Sequence, residues 1–140
     1  MKTIYLLRHA KSDWGDSAIA DHDRRLNERG RDAAPRMRAY IKAKRYKPDL
    51  VLCSTARRTV ETFDIIKGDL SRDVAVEFEE GLYLAQSRHL MQRLRSLDDA
   101  VKAVMFVGHN PGIAQFANEL CASPKTAAEE KVHRQIREKF

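Results

Sequence analysis

The segment Ala103-Val104-Met105-Phe106-Val107 contains no polar residue, and Ile4-Tyr5-Leu6-Leu7 and Leu50-Val51-Leu52-Cys53 are shorter runs of the same kind. A strand with one wet face alternates apolar and polar residues. Runs without alternation therefore read as strands covered on both faces, the usual condition of a parallel sheet. Parallel neighbours cannot be joined by a tight hairpin; each needs a crossover, normally a helix. The intervening chain offers helices over residues 27–44, 56–67, 87–97 and 112–122. Asn27 reads as the cap of the first, with Glu28 in its first turn. Ala33, Met37, Tyr40 and Ile41 carry its apolar side, and Pro35 is expected to bend or split it. Gly68 reads as the end of the second helix. Ser87 reads as the cap of the third, where Leu90, Met91, Leu94 and Leu97 recur at helical spacing. Residues 74–78 alternate with acids and suit a more exposed strand. From Thr126, a last helix would carry Ala128, Val132, Ile136 and Phe140 as a stripe. The expected fold class is α/β: a three-layer α/β/α sandwich with a mainly parallel central sheet and right-handed crossovers.

The 140 residues suit one domain, 1–140, with a sizeable core. The net charge of +6, from 26 basic and 20 acidic residues, favours phosphate-bearing ligands and on charge alone admits nucleic acid. The bases are interleaved with acids and aromatics make up only 7%, so no basic stripe with stacking rings stands out and no nucleic-acid partner is expected. Cys53 and Cys121 lie far apart without Cys-x-x-Cys spacing, which suits two buried thiols in a reducing compartment. The N-terminal apolar run is too short for a signal peptide, and no stretch approaches transmembrane length. A cytoplasmic monomer with no membrane partner is the expectation. Asp21-His22-Asp23 has no second cluster at metal-ligand spacing, so no metal is expected, and His22 and His89 read as surface residues.

The three apolar runs end in related chemistry: Arg8-His9 after the first, Ser54 with Arg57 and Arg58 after the second, Gly108-His109 after the last. In a parallel sheet these ends share one edge, where ligands of open α/β sheets bind. Arginine forks match phosphate, helix starts favour anions, and an imidazole can attack phosphorus. The polar stretch 11–26 lacks a period and reads as a long functional loop beside this edge, with Trp14 either lining the entrance or anchoring the loop.

Leu7-Arg8-His9-Ala10 resembles the Arg-His-Gly signature of the histidine phosphatase superfamily, the phosphoglycerate-mutase-like fold. Ser54-x-x-x-Arg58-x-x-x-Thr62 and Gly108-His109-Asn110-Pro111 resemble its second and third motifs, in order and at fitting separations. Lys11-Ser12-x-Trp14, Asp21-x-x-Arg24-x-Leu26-Asn27-x-x-Gly30 and Leu82-Tyr83 resemble its small SixA-like phosphohistidine phosphatase branch. The resemblance implies that His9 is a nucleophile forming a phosphohistidine intermediate and that Arg8, Arg58 and His109 bind the phosphoryl group. Arg24, Asn110 and Ser12 would make further substrate contacts, and no cofactor or metal is implied. Family spacing from Ser54 selects Arg58 over Arg57. Arg25 stands where the branch often has proline. No carboxylate matches the proton donor of larger members, Glu79 and Glu80 being only nearby. The family continues with another strand, so this chain is expected either to be naturally short or to lack its C-terminal strand. The implied activity is a metal-independent phosphatase acting on phosphohistidine of a phosphorylated protein. The alternatives are a small phosphate ester as substrate, or a non-catalytic phosphate-binding module; the intact Arg8, His9, Arg58 and His109 favour an enzyme.

Overall fold

The computed structural model describes residues 1–121. Four strands, β1 (Thr3–Arg8), β2 (Leu50–Ser54), β3 (Ala75–Glu79) and β4 (Ala103–Gly108), form one sheet in the order β1-β4-β2-β3, and every pairing is parallel. The helices are α1 (Glu28–Ala43), α2 (Arg57–Ile66), α3 (Ser87–Arg95) and α4 (Gly112–Leu120). The helix expected from Thr126 lies outside the described residues. No helix among the described residues is long and apolar enough to cross a membrane.

Because successive strand side chains point to opposite faces, each strand feeds two cores. Val51, Cys53, Met105 and Val107 pack with Ile41 of α1 and with Phe63 and Ile66 of α2. Leu50, Leu52, Val104 and Phe106 pack on the other face with Leu90 of α3 and with Ile113 and Phe116 of α4. The result is the three-layer α/β/α sandwich. β2 is buried throughout and β4 nearly so, as their uninterrupted apolar sequences require. β1 departs from the expectation: it is only half-buried, because among the described residues it pairs on one side alone, with β4. The alternating β3 is the opposite edge.

Several helix details differ from the sequence reading. Asn27 does cap α1, its side chain accepting from Gly30 N at 2.9 Å. Pro35, however, sits inside an unbroken helix. It is exposed, so the missing amide bond falls on the wet side, where water can serve the freed carbonyl. The buried side of α1 is Gly30, Ala34 and Ile41, while Met37 and Tyr40 are exposed. α2 ends in a 3-10 turn, Lys67–Asp69, rather than in a left-handed glycine. Gln86, not Ser87, occupies the cap position of α3, and the Ser87 hydroxyl instead donates to Glu119 of α4 at 2.7 Å.

The register fixes the functional edge. Arg8 lies opposite Gly108 and Cys53 opposite Val107, so the carboxyl ends of β1, β4 and β2 finish level.

Candidate active site

Over these strand ends lies a cleft of about 280 Å³. Arg8, His9, Ser12, Arg24, Arg58, His109 and Asn110 all line it, so the residues expected to transfer or contact the phosphoryl group share one cleft. Lys11, Trp14, Asp21 and Leu84 complete the wall.

β1 delivers the first pair. The ladder runs one residue past Arg8, with His9 N donating to Gly108 O at 3.1 Å. The chain then turns, and Ala10 N donates to Thr62 Oγ1 at 3.0 Å. The Thr62 hydroxyl itself donates to Arg58 O at 2.7 Å. Arg58 and Thr62 are four apart on α2 and hence share a face. One residue therefore ties the His9 turn to the helix that carries Arg58. Ser54, fully buried at the end of β2, puts its Oγ 2.8 Å from His109 Nε2 and so locks the second imidazole.

The His9 ring is oriented by its own turn. Its Nδ1 lies 2.6 Å from Ala10 O. A carbonyl can only accept, so Nδ1 carries the hydrogen and Nε2 keeps its lone pair. Burial, opposed by the pull of the Ala10 carbonyl and joined by the charges of Arg58, Arg8 and Arg24, lowers the His9 pKa to about 4. His109 is buried, and that burial, with Arg58 and His9, lowers its pKa to about 3. The two rings, 5.3 Å apart between centroids, are both neutral at neutral pH.

Two of the cleft's arginines are as enclosed as His109, while Arg8 is exposed. Arg58 is 2% exposed and Arg24 7%. Arg58 Nη1 donates to Asp21 O at 2.6 Å and Nη2 to Asp21 Oδ2 at 3.0 Å. Arg24 Nη2 donates to Ser12 Oγ at 3.0 Å, and its guanidinium carbon lies 3.3 Å from the Trp14 ring centroid. Four buried polar atoms here have no hydrogen-bond partner among the described residues: Arg24 Nε, Arg58 Nε, His109 Nδ1 and Asn110 Oδ1. Leaving such groups unmet costs about 1–3 kcal/mol each. Two buried arginine N–H donors beside a neutral imidazole are suited to receive an oxyanion.

The loop over residues 11–26 is pinned rather than free. Ser12 and Leu26 form an antiparallel bridge, Leu26 is buried, and its N–H donates to Glu61 Oε2 at 2.8 Å. Trp14 both stacks on Arg24 and lines the cleft, so the two readings of it hold together. The sequence reading quoted Asp21 and Tyr83 within family-like motifs but gave neither a place in the site. The Tyr83 hydroxyl donates to Asp21 Oδ2, and its ring packs edge-on to His109 and His22. His22 is accordingly half-buried rather than a free surface residue, with Nε2 3.0 Å from Thr55 Oγ1. The available clue was the Asp21-x-x-Arg24 spacing, since a 3-10 turn brings residues three apart into line. Glu79 faces away from this chemistry and is held by Arg93, at 2.8 and 3.1 Å from its Nε. Neither Glu79 nor Glu80 lines the cleft. Among the described residues, no three His, Cys, Asp or Glu side chains stand close enough to hold a metal ion.

The family model of the histidine phosphatase superfamily, branch 1, matches residues 4–83, a span that holds His9, Arg24 and Arg58. An uncharacterized protein of Mycobacterium tuberculosis is 34% identical over 134 residues, which cover 96% of this chain and 80% of that relative. The crystal structure of a candidate phosphohistidine phosphatase SixA from Agrobacterium tumefaciens is 31% identical, with 88% of this chain and 79% of that chain covered and a TM-score of 0.81. The protein histidine phosphatase SixA complexed with tungstate is 22% identical, with 88% and 78% covered and a TM-score of 0.75, a likeness of fold alone.

Proposed function

The chain belongs to the histidine phosphatase superfamily, in its SixA-like branch, and from that premise we propose that His9 carries the phosphoryl group in transit and that the substrate is phosphohistidine on a protein. One observation carries the reading: His9 is a neutral imidazole whose only hydrogen is committed to Ala10 O, so Nε2 offers a lone pair inside a cleft of three arginines.

In the first step, His9 Nε2 attacks phosphorus. The bond from phosphorus to the leaving atom breaks, and its electron pair goes to the leaving group. Phosphorylated His9 keeps its Nδ1 hydrogen on Ala10 O. In the second step, water attacks phosphorus, the bond from phosphorus to Nε2 breaks with its electron pair returning to the now neutral ring, and the water's oxygen and protons leave as part of inorganic phosphate and solvent. Arg8, Arg24 and Arg58 neutralise the charge that develops on the equatorial oxygens, the task a metal performs in other phosphatases. Of the five N–H groups on Arg58, Asp21 takes two and leaves three, including the buried Nε. The reaction therefore runs without metal or cofactor.

Among the described residues no good proton donor lines the cleft, which narrows the substrate. Glu79 is held by Arg93 outside the cleft. The Tyr83 hydroxyl, opposed by partial burial and joined by Arg58, holds Asp21 below the usual carboxylate range, so it is a poor acid. An alkyl phosphate then leaves as a costly alkoxide. Imidazole, with an ordinary pKa of about 6.5, carries its own proton near neutral pH and leaves neutral. Turnover of a phosphohistidine protein, p-nitrophenyl phosphate, phosphoserine and a sugar phosphate, each with and without a strong chelator, tests the reading. The first two substrates should be hydrolysed with chelator present and vanadate should inhibit, while the others react slowly. Preference for the sugar phosphate, or chelator inactivation reversed by a metal ion, would overturn it.

A further inference from the structure

Asp21 is the one carboxylate lining the cleft among the described residues, and nothing in the chemistry of phosphoryl transfer at His9 calls for a negative charge there. Its atoms are unequally used. The backbone oxygen and Oδ2 both serve Arg58, and Oδ2 also accepts from the Tyr83 hydroxyl. Oδ1 makes no hydrogen bond; Arg24 Nε stands 3.4 Å away but outside bonding geometry. Exposure separates floor from rim. Arg58, His109 and Arg24 are buried, whereas the Asp21 side chain is 43% exposed and Trp14 and Leu84 are 73% and 53% exposed. The phosphoryl group belongs with the buried arginines, so the rest of the substrate lies along the rim, within reach of Asp21.

We propose that Asp21 is a specificity-determining residue that reads the charge next to the phosphoryl group. It admits a leaving group that is neutral or carries an N–H, which Oδ1 can accept, and it repels one that brings a second negative charge. The proposal rests on the phosphatase reading above and deepens it. A phosphorylated imidazole presents the favoured chemistry, while the carboxylate-bearing metabolite class of small phosphates presents the excluded one. Clamping Arg58 is a separate task of the same residue, and its loss would slow all substrates by a common factor. Selectivity is therefore read from ratios, which a purely structural role does not move.

The test compares the unaltered protein with Asp21→Asn and Asp21→Glu. Three substrates are used: a phosphohistidine peptide, p-nitrophenyl phosphate, and a ring-carboxylated aryl phosphate of matched leaving-group pKa. Like charges a few ångströms apart at a wet rim repel by enough to lower kcat/KM about tenfold. The unaltered protein should therefore disfavour the carboxylated ester about tenfold against p-nitrophenyl phosphate, mainly through KM. In Asp21→Asn that gap should close to within about twofold, and the advantage of phosphohistidine should shrink with it. Asp21→Glu, which restores the charge, should reopen the gap. An equal loss on all three substrates, with turnover still abolished by His9→Ala, would overturn the role of Asp21 and leave the phosphatase reading standing. Absence of turnover on all three in the unaltered protein, or turnover that survives His9→Ala, would overturn that reading and this inference together.

Discussion

Acidifying the protein from pH 7.5 to pH 5.5 should leave His9 and His109 neutral, each without a second ring proton. An ordinary imidazole with a pKa of about 6.5 is about nine-tenths protonated at pH 5.5. His9, held at about 4 by burial and by Arg58, Arg8 and Arg24, should be only about 3% protonated there. His109, held at about 3, should be less protonated still. The unfolded chain takes up these protons near pH 6.5 and the folded chain only below pH 4, so between the two the unfolded state binds more protons. Stability is therefore complete above pH 6.5 and falls as the pH drops toward the folded values. At pH 5.5 the loss is on the order of 1 kcal/mol for His109 and less for His9, whose ring is open to the cleft. Long-range proton–nitrogen NMR on imidazole-labelled protein reads both ring nitrogens, with the signals assigned through His9→Ala and His109→Ala. The His9 ring should appear as the neutral tautomer with hydrogen on Nδ1, because Ala10 O can only accept. A ring mostly protonated at pH 5.5, or a His9 hydrogen on Nε2, would refute the reasoning that makes this residue a poised nucleophile.

Other outcomes can be checked alongside. A Cβ on Gly30 would stand 2.1 Å from the carbonyl oxygen of Lys11, a backbone atom of the cleft wall that also accepts from Asn27 N. Gly30→Ala should lower stability by about 1–3 kcal/mol in thermal unfolding and raise KM by displacing Lys11. Glu79→Gln weakens the pairing with Arg93 and touches nothing in the cleft. It should cost up to about 1 kcal/mol in stability while kcat for p-nitrophenyl phosphate stays within about twofold; a large fall in kcat would identify Glu79 as the missing acid.

How much of this was legible from sequence follows from what sequence patterns record. An uninterrupted apolar run records burial of both faces, so β2 and β4 were plain. It does not record how many neighbours a strand has, and β1 with its single described partner looked the same. Helical periodicity weights bulky residues, so it turned α1 toward Met37 and Tyr40. The packed side is built on Gly30 and Ala34, whose small size permits close approach. The site was legible where topology and helix spacing place it. Parallel strand ends bring Arg8, His9 and His109 together, and the four-residue step from Arg58 to Thr62 fixes α2 against the His9 turn. The meeting of Asp21 with Tyr83 was not legible, because it spans 62 positions and the loop that carries Asp21 has no period to show which way it folds.

Catalysis here passes through a covalent bond between phosphorus and His9 Nε2, as proposed above. Mixing the protein for milliseconds with labelled p-nitrophenyl phosphate, quenching in base and digesting it locates that bond. Label should appear on the peptide carrying His9, stable in alkali and lost in acid, together with no label and no turnover in His9→Ala. Label on any other residue, or unimpaired turnover in His9→Ala, would contradict that route.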